Sequence, residues 1–139
     1  MKDSFFKNNA YSLLLICISV VTAAFAYFIL PEQIPMQWNG TQVNWYAGRE
    51  AIFLIPLLSI AVAVLFKPAI DALVKRYFAV FPKMSYIFVV GILIILFSCE
   101  IYTILYCFGL RWRLDYIIIT ESVLIALFAL QYALRLKHK

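Results

Sequence analysis

Charge, glycine and histidine are all scarce in this sequence, and each shortage excludes a class of function. Charged residues make up only 14% of the 139 residues, whereas a soluble domain has about 25%. The four glycines form no glycine-rich phosphate loop. The only histidine, His138, is the last residue but one, so it offers neither a nucleophile–histidine pair nor a set of metal ligands. We therefore expect a protein that is not an enzyme and that has no cofactor and no metal site.

Hydrophobic residues are abundant instead and make up 65% of the chain. In water such a chain would expose large apolar patches, so a lipid bilayer is its expected solvent. Four apolar runs are long enough to cross the bilayer, at residues 11–30, 51–66, 85–108 and 116–136, although the second is short and is interrupted by Pro56. Because backbone groups in hydrocarbon must be hydrogen-bonded internally, the sequence predicts an all-α, polytopic membrane protein with a single domain over residues 1–139.

The basic residues set the expected orientation. Nine of the 12 Lys and Arg residues lie in the two tails and in the loop after the second run, and the other three are Arg49, Arg111 and Arg113. Since cations concentrate on the cytoplasmic side, both termini are expected inside and the loop of residues 31–50 outside. This topology accounts for the net charge of +5 without a nucleic-acid partner. The first apolar run continues past Ala26, so we expect a retained span and not a cleaved signal peptide.

An amphipathic segment is expected over residues 68–82, on the inner side. Asp71 and Lys75 stand four residues apart on its polar side and are predicted to form an ion pair. Two placements stay open, a short helix on the inner leaflet or a cytoplasmic extension of the second span. The segment is also a candidate contact for a cytoplasmic or membrane protein partner. Its apolar positions have helical spacing: Ile70, Leu73, Val74, Tyr77, Phe78 and Phe81.

The outer loop is the first candidate for specific recognition. Pro31 and Pro35 fix the backbone at two points, and Asn39-Gly40 favours a tight turn. The loop would then present Gln37, Trp38 and Asn39 to an extracellular ligand. A packed cap whose tryptophans anchor in lipid is the alternative. Aromatic residues are expected to gather on this side of the membrane: Trp38, Trp45, Tyr46, Tyr102, Tyr106, Trp112 and Tyr116.

Acidic residues inside the apolar runs form the second candidate site. Glu100 lies well within the third run, and Thr103 follows on the same helix face. Because a charge in the bilayer core costs about 2.5–3.5 kcal/mol, Glu100 should face a partner or a cavity or be protonated. Glu121 lies near the outer end of the fourth run, with Arg111 and Arg113 within reach. Two interpretations stay open, a proton-coupled or cation-binding site and a structural carboxyl paired with an arginine or a hydroxyl.

The outer loop resembles a known family. Leu30-Pro31, then Ile34-Pro35, Gln37-Trp38-Asn39, Asn44, Arg49 and Pro56 are similar to the pattern of domain of unknown function 1648, found in SdpI-type immunity proteins. The similarity covers roughly residues 28–58 and is to the short form of these proteins. The chain departs from the family pattern at several positions, where Gln37 stands for His, Gln42 for Gly, Asn44 for Asp, Arg49 for Lys, and Lys67-Pro68 for Asp-Pro.

The resemblance implies an immunity protein of the bacterial cytoplasmic membrane. Such a protein would bind or neutralise a secreted antimicrobial peptide at the outer face, and it could also have a signalling role. A small proton-coupled transporter using Glu100 and an accessory subunit of a larger membrane complex are the alternatives. The predicted ligand-binding residues are Pro35, Gln37, Trp38, Asn39, Asn44 and Arg49, and the predicted intramembrane polar residues are Glu100, Thr103 and Glu121.

Overall fold

A computed structural model describes the backbone of residues 2–78, 81 and 83–137, with side chains described from residue 9 to residue 135 in those ranges. Residues 79, 80 and 82 of the predicted inner segment lie outside the described residues, as do His138 and Lys139. The side chains of Lys2, Lys7 and Lys137, on which the predicted orientation partly depends, are likewise outside them.

Four helices are long and apolar enough to cross a membrane, which confirms the prediction of a helical, polytopic membrane protein. Helix α1 covers Lys2–Ile29, α4 covers Met84–Cys107 and α5 covers Leu114–Lys137. The second span is a continuous helix over Arg49–Tyr77. It consists of a 3-10 stretch, Arg49–Phe53, then α2, Leu54–Ala61, a π-helical stretch, Val62–Phe66, and α3, Lys67–Tyr77.

The second span is therefore neither short nor interrupted, and that prediction is wrong. Pro56 lies just after the 3-10 stretch passes into α2, and the helix continues through it without a break. Pro68 lies at the start of α3, directly after the π-helical stretch. The carbonyl that its ring would meet in a regular helix belongs to Val64, and the wider π turn relieves that conflict. Of the two placements left open for the inner segment, the structure has the extension of the second span, which ends at Tyr77.

Helix α4 is the centre of the bundle, because it packs against α1, α2, α3 and α5. Small residues permit the closest approaches: Ala23 and Ala26 are buried on α1, and Gly91 of α4 faces Ile125 of α5. Most large side chains of α5 are exposed, as expected for a helix that faces lipid. The bundle therefore turns small residues inward and large apolar ones toward the bilayer.

A two-stranded antiparallel hairpin joins the first two spans. Strand β1 covers Gln33–Asn39 and β2 covers Gln42–Gly48. The predicted turn at Asn39-Gly40 is present, and Gly40 has φ +64, a backbone conformation that glycine adopts without strain. The pairing register shifts just after Pro35, where a bulge leaves Met36 without a cross-strand partner. The strands themselves were not predicted, because Asn39-Gly40 was interpreted only as a turn within a loop.

We call the end of the bundle that carries the hairpin the outer end, and the end near residues 78–83 the inner end. At the inner end Lys67 pairs with Asp71 at 2.9 Å, and Ser85 of α4 donates a hydrogen bond to the same carboxylate. Asp71 thus forms its ion pair with Lys67 and not, as the sequence predicted, with Lys75. An apolar cluster around Val74, Met84 and Ala129 packs the extension against α4 and α5.

Candidate functional site: the outer hairpin

Strand β1 is the packed strand of the hairpin. Ile34 is fully buried and Pro35 is buried. Ile34 belongs to a cluster with Ala23, Leu30 and Ile52, which come from the end of α1 and the start of the second span. The proline that was predicted as a ligand-binding residue therefore helps to seat the hairpin on the bundle.

Trp38 also points into the protein. Its ring makes edge-to-face contacts with Tyr102, at 5.4 Å between centroids, and with Tyr106, at 6.1 Å. The indole Nε1 is buried and has no hydrogen-bond partner among the described residues. Tyr102 donates to the carbonyl of Trp112, and Tyr106 donates to the carbonyl of Thr41 at 3.2 Å. Helix α4 thus supplies an aromatic floor under the hairpin.

The remaining hairpin residues face outward. Gln37, Asn39 and Asn44 are exposed, and Trp45 and Tyr46 of β2 are 55% and 52% exposed. The structure therefore divides the predicted ligand-binding residues, with Pro35 and Trp38 turned inward and these three polar residues turned outward. It adds two large aromatic side chains, which the sequence had indicated only as lipid anchors.

The three outer arginines each have a local partner. The guanidinium of Arg49 lies 4.9 Å from the centre of the Tyr27 ring. Arg111 lies 4.1 Å from the centre of the Tyr106 ring and donates to the Tyr106 carbonyl at 2.7 Å. Arg113 pairs with Asp115 at 2.9 Å, and this hydrogen bond raises the pKa of the guanidinium.

These contacts bear on the intramembrane carboxyls. Arg111 and Arg113 were expected within reach of Glu121, but neither contacts Glu100 or Glu121 in the described part of the chain, so the arginine pairing is wrong. Glu100 is fully buried and accepts a hydrogen bond from Ser19 of α1. The observed partner of Glu100 is therefore a hydroxyl and not an arginine.

The two carboxyls link α4 to its neighbours on either side. Glu100 connects α4 to α1, while Glu121 of α5 accepts a hydrogen bond from Ser98 of α4. One oxygen of each carboxyl is buried without a partner among the described residues. Thr103 is buried but donates to the carbonyl of Cys99 at 2.9 Å, so it is not seen to contact Glu100.

Comparison with known proteins bears on the outer hairpin directly. The family described as domain of unknown function DUF1648 matches residues 14–60. The immunity protein SdpI of Bacillus subtilis (strain 168) is 28% identical over 114 residues, which is 81% of this chain and 53% of that protein. The chain is thus similar to the DUF1648 family over residues 14–60 and to SdpI over most of its own length. It spans about half the length of the curated relative that it matches, and no solved structure matches it.

The DUF1648 match has a clear structural counterpart. Residues 14–60 comprise most of α1, the hairpin and the beginning of the second span. The aromatic floor on α4 lies outside this match, although it contacts Trp38. In the DUF1648 region of this chain, the positions that depart from the family pattern at 37, 42 and 44 are exposed on the hairpin. These three departures therefore alter what the hairpin presents, whereas Arg49, a fourth departure, is half-buried and packs on the Tyr27 ring.

No local sequence signal could have identified the floor, because Trp38 and Tyr102 are far apart in the chain and on different elements. The strands had a usable signal that was passed over. An Asn-Gly dipeptide between two runs rich in aromatic and branched residues is typical of a hairpin. The choice of Ser19 as the partner of Glu100 depends on how α1 and α4 face each other, which hydropathy does not specify.

Proposed function

We propose that this protein binds a secreted antimicrobial peptide at the outer face of the bacterial cytoplasmic membrane and so protects the membrane, without catalysing a reaction. The single observation that carries the proposal is the asymmetry of the hairpin. Strand β1 is packed on the bundle, while β2 presents exposed side chains and a free edge. The name of the relative, immunity protein SdpI, supports the same class of function.

The edge of β2 suits an extended peptide. In the described part of the chain β2 pairs only with β1, so its other edge has unpaired backbone donors and acceptors. Proteins usually protect such an edge with Lys, Pro or a bulge. Here the proline is on β1, and each strand has one residue without a cross-strand partner, Met36 on β1 and Asn44 on β2. Strand β2 has neither Lys nor Pro in its uncharged sequence Gln-Val-Asn-Trp-Tyr-Ala-Gly. An incoming strand would pair with this edge through main-chain hydrogen bonds.

The side chains of β2 suit a peptide that is already at the membrane surface. Trp45 and Tyr46 are aromatic residues of the kind that reside at headgroup level. They are large, carry a polar group and lose little conformational entropy on binding, which is why Trp and Tyr dominate binding hot spots. Gln37, Asn39 and Asn44 add neutral hydrogen-bonding groups at the same surface. We expect the ligand to be amphipathic and to bind without a dominant charge pair.

The test is survival of a strain that lacks the gene, exposed to culture supernatants of its own and neighbouring strains. The strain is complemented with wild type, with Trp45→Ala/Tyr46→Ala, or with Asn44→Lys, which places a cation on the free edge. Loss of a hot-spot aromatic typically costs about 2 kcal/mol or more, or roughly thirty-fold in affinity. We expect both variants to lose protection at membrane levels matched by immunoblot.

Trp112→Ala is the matched control, because Trp112 is 68% exposed at the same end of the bundle but is not on the hairpin. If its loss were as harmful as loss of Trp45, lipid anchoring and not ligand contact would explain the result. Equal survival of the deletion strain and the wild type would remove the immunity proposal. Glu100→Gln should still protect, and failure of this variant alone would favour a proton-coupled transporter instead.

A further inference from the structure

The inner end of the second span extends beyond the bilayer core. The helix over Arg49–Tyr77 has 29 residues, which at 1.5 Å per residue is about 43 Å. The hydrocarbon core is only about 30 Å thick. Because residues 51–66 are uncharged and α3 begins at Lys67, α3 is the part that reaches the headgroups.

Helix α3 and the loop after it are basic at this level. They carry Lys67, Lys75, Arg76 and Lys83, against one carboxylate, Asp71. That carboxylate already accepts hydrogen bonds from the Lys67 ammonium, at 2.9 Å, and from the Ser85 hydroxyl. Lys75 and Arg76 are exposed, and neither takes part in the ion pairs found within 4 Å among the described residues. Lys75 still interacts electrostatically with the Asp71 carboxylate, so Arg76 is the more available of the two cations at headgroup depth.

An apolar groove lies between α3 and α4, on the side of α3 next to Arg76 and away from Lys75. Its volume is about 340 Å³, and its lining includes Ile70, Leu73, Tyr77, Phe88 and Ile92. Leu73 and Tyr77 are 57% and 66% exposed, so the groove opens away from the bundle, toward lipid. The Arg76 guanidinium lies 5.5 Å from the centre of the Tyr77 ring, at the rim of the groove.

We propose that this groove binds an anionic phospholipid of the leaflet at the inner end, with an acyl chain between α3 and α4 and the phosphate at Arg76. The charge argues for this occupant, because the groove alone would accept any lipid tail, while Arg76 at its rim, with Lys75 adding positive charge at the same depth, selects a negative headgroup. Basic pockets beside spanning helices on the cytoplasmic side bind anionic headgroups in this way. Under the predicted orientation, the leaflet is the cytoplasmic one.

The experiment uses the full chain in a neutral detergent, with phosphatidylglycerol or phosphatidylcholine added to the micelles, and measures bound lipid by native mass spectrometry. Wild type should prefer phosphatidylglycerol, and Lys75→Gln/Arg76→Gln should reduce that preference roughly ten- to thirty-fold. Arg111→Gln/Arg113→Gln is the control, since it removes the same charge at the outer end and should leave the preference intact.

Four outcomes would overturn the proposal. Equal binding of the two lipids by wild type would remove the charge selection, and an unchanged preference in Lys75→Gln/Arg76→Gln would move the site elsewhere. Displacement of the lipid by soluble glycerol phosphate at equal concentration would identify a phosphate site and not a lipid site. A dimer that forms without lipid and is lost on Leu73→Asn substitution would put a second copy of the chain in the groove.

Discussion

Replacing Trp38 with alanine should destabilise the protein, whereas replacing Trp45 should not. A packed aromatic side chain buries about 150–250 Å², so a half-buried Trp38 buries roughly 100 Å², or about 2.5 kcal/mol at 25 cal/mol per Å². The two edge-to-face contacts with Tyr102 and Tyr106 add about 0.5–1.5 kcal/mol each. The substitution also removes the indole N–H, which is buried without a hydrogen-bond partner, and this recovers about 1–3 kcal/mol of the stability. The expected net loss is about 0.5–4.5 kcal/mol, centred near 2.5 kcal/mol.

Two further variants make the reasoning specific. Trp38→Phe keeps a ring against Tyr102 and removes the N–H that has no partner, so its stability should stay within about 1 kcal/mol of wild type. Trp45→Ala alters an exposed side chain and should change stability by no more than about 0.5 kcal/mol.

The assay is unfolding of the purified protein by SDS in mixed micelles, followed by the helical circular dichroism signal. Hydrogen exchange of the β1 amides detects local loss of the hairpin if the helices remain folded. A loss below about 0.5 kcal/mol for Trp38→Ala, with unchanged exchange in β1, would refute the packing of Trp38 on α4. In that case Trp38 would again be a candidate ligand contact. The distinction matters because a folding defect in Trp38→Ala would otherwise resemble lost binding.

Two predictions concern the contacts of α4 within the bundle. Ser19→Ala and Glu100→Gln should show a coupling energy of about 0.6–2 kcal/mol in a double-mutant cycle measured by SDS unfolding, because the two side chains share a buried hydrogen bond. Effects that add to within about 0.3 kcal/mol would contradict that bond. In wild type, the Cβ added by Gly91→Ala would lie 2.8 Å from Ile125 Cγ2, so we expect no stabilisation there. When Ile125 is also changed to alanine, Gly91→Ala should stabilise α4 by about 1 kcal/mol. Equal effects of Gly91→Ala in the two backgrounds, measured by the same unfolding assay, would contradict the close approach of α4 and α5.

The outer hairpin separates packing from presentation on adjacent residues of one strand. Ile34 and Trp38 hold β1 on the bundle, while Gln37 and Asn39 of the same strand are exposed. Alternation of side chains along a strand produces this division, and the bulge after Pro35 adjusts it locally. Variants at the exposed positions therefore test binding with little effect on the fold, and variants at the packed positions test the fold.

The membrane spans could be predicted because their signal is local. About 20 consecutive apolar residues favour hydrocarbon over water wherever the rest of the chain lies, and four such helices are present. The error at Pro56 came from treating any proline within an apolar run as a break, although the helix over Arg49–Tyr77 continues through it. The turn at Asn39-Gly40 was likewise local and correct.

Partner choice could not be predicted in the same way. Asp71 has Lys67 four residues before it and Lys75 four residues after it, and both spacings allow an ion pair on a helix. The structure has the Lys67 pair, and Ser85 of α4 donates to the same carboxylate. The prediction that an arginine pairs with Glu121 was wrong for a related reason. Arg111 and Arg113 instead bond to groups close to them in the chain.

The sequence by itself determined the solvent of this protein, the number of its spans and the position of its tight turn, since each follows from the composition of a short window. Tertiary structure alone decided which aromatic residue of the hairpin is buried, which hydroxyl meets Glu100 and which edge of the hairpin is free. These depend on the rotation of each helix about its axis and on the register of the two strands. Contacts between distant residues, such as Trp38 with Tyr102 and Ser19 with Glu100, fix both.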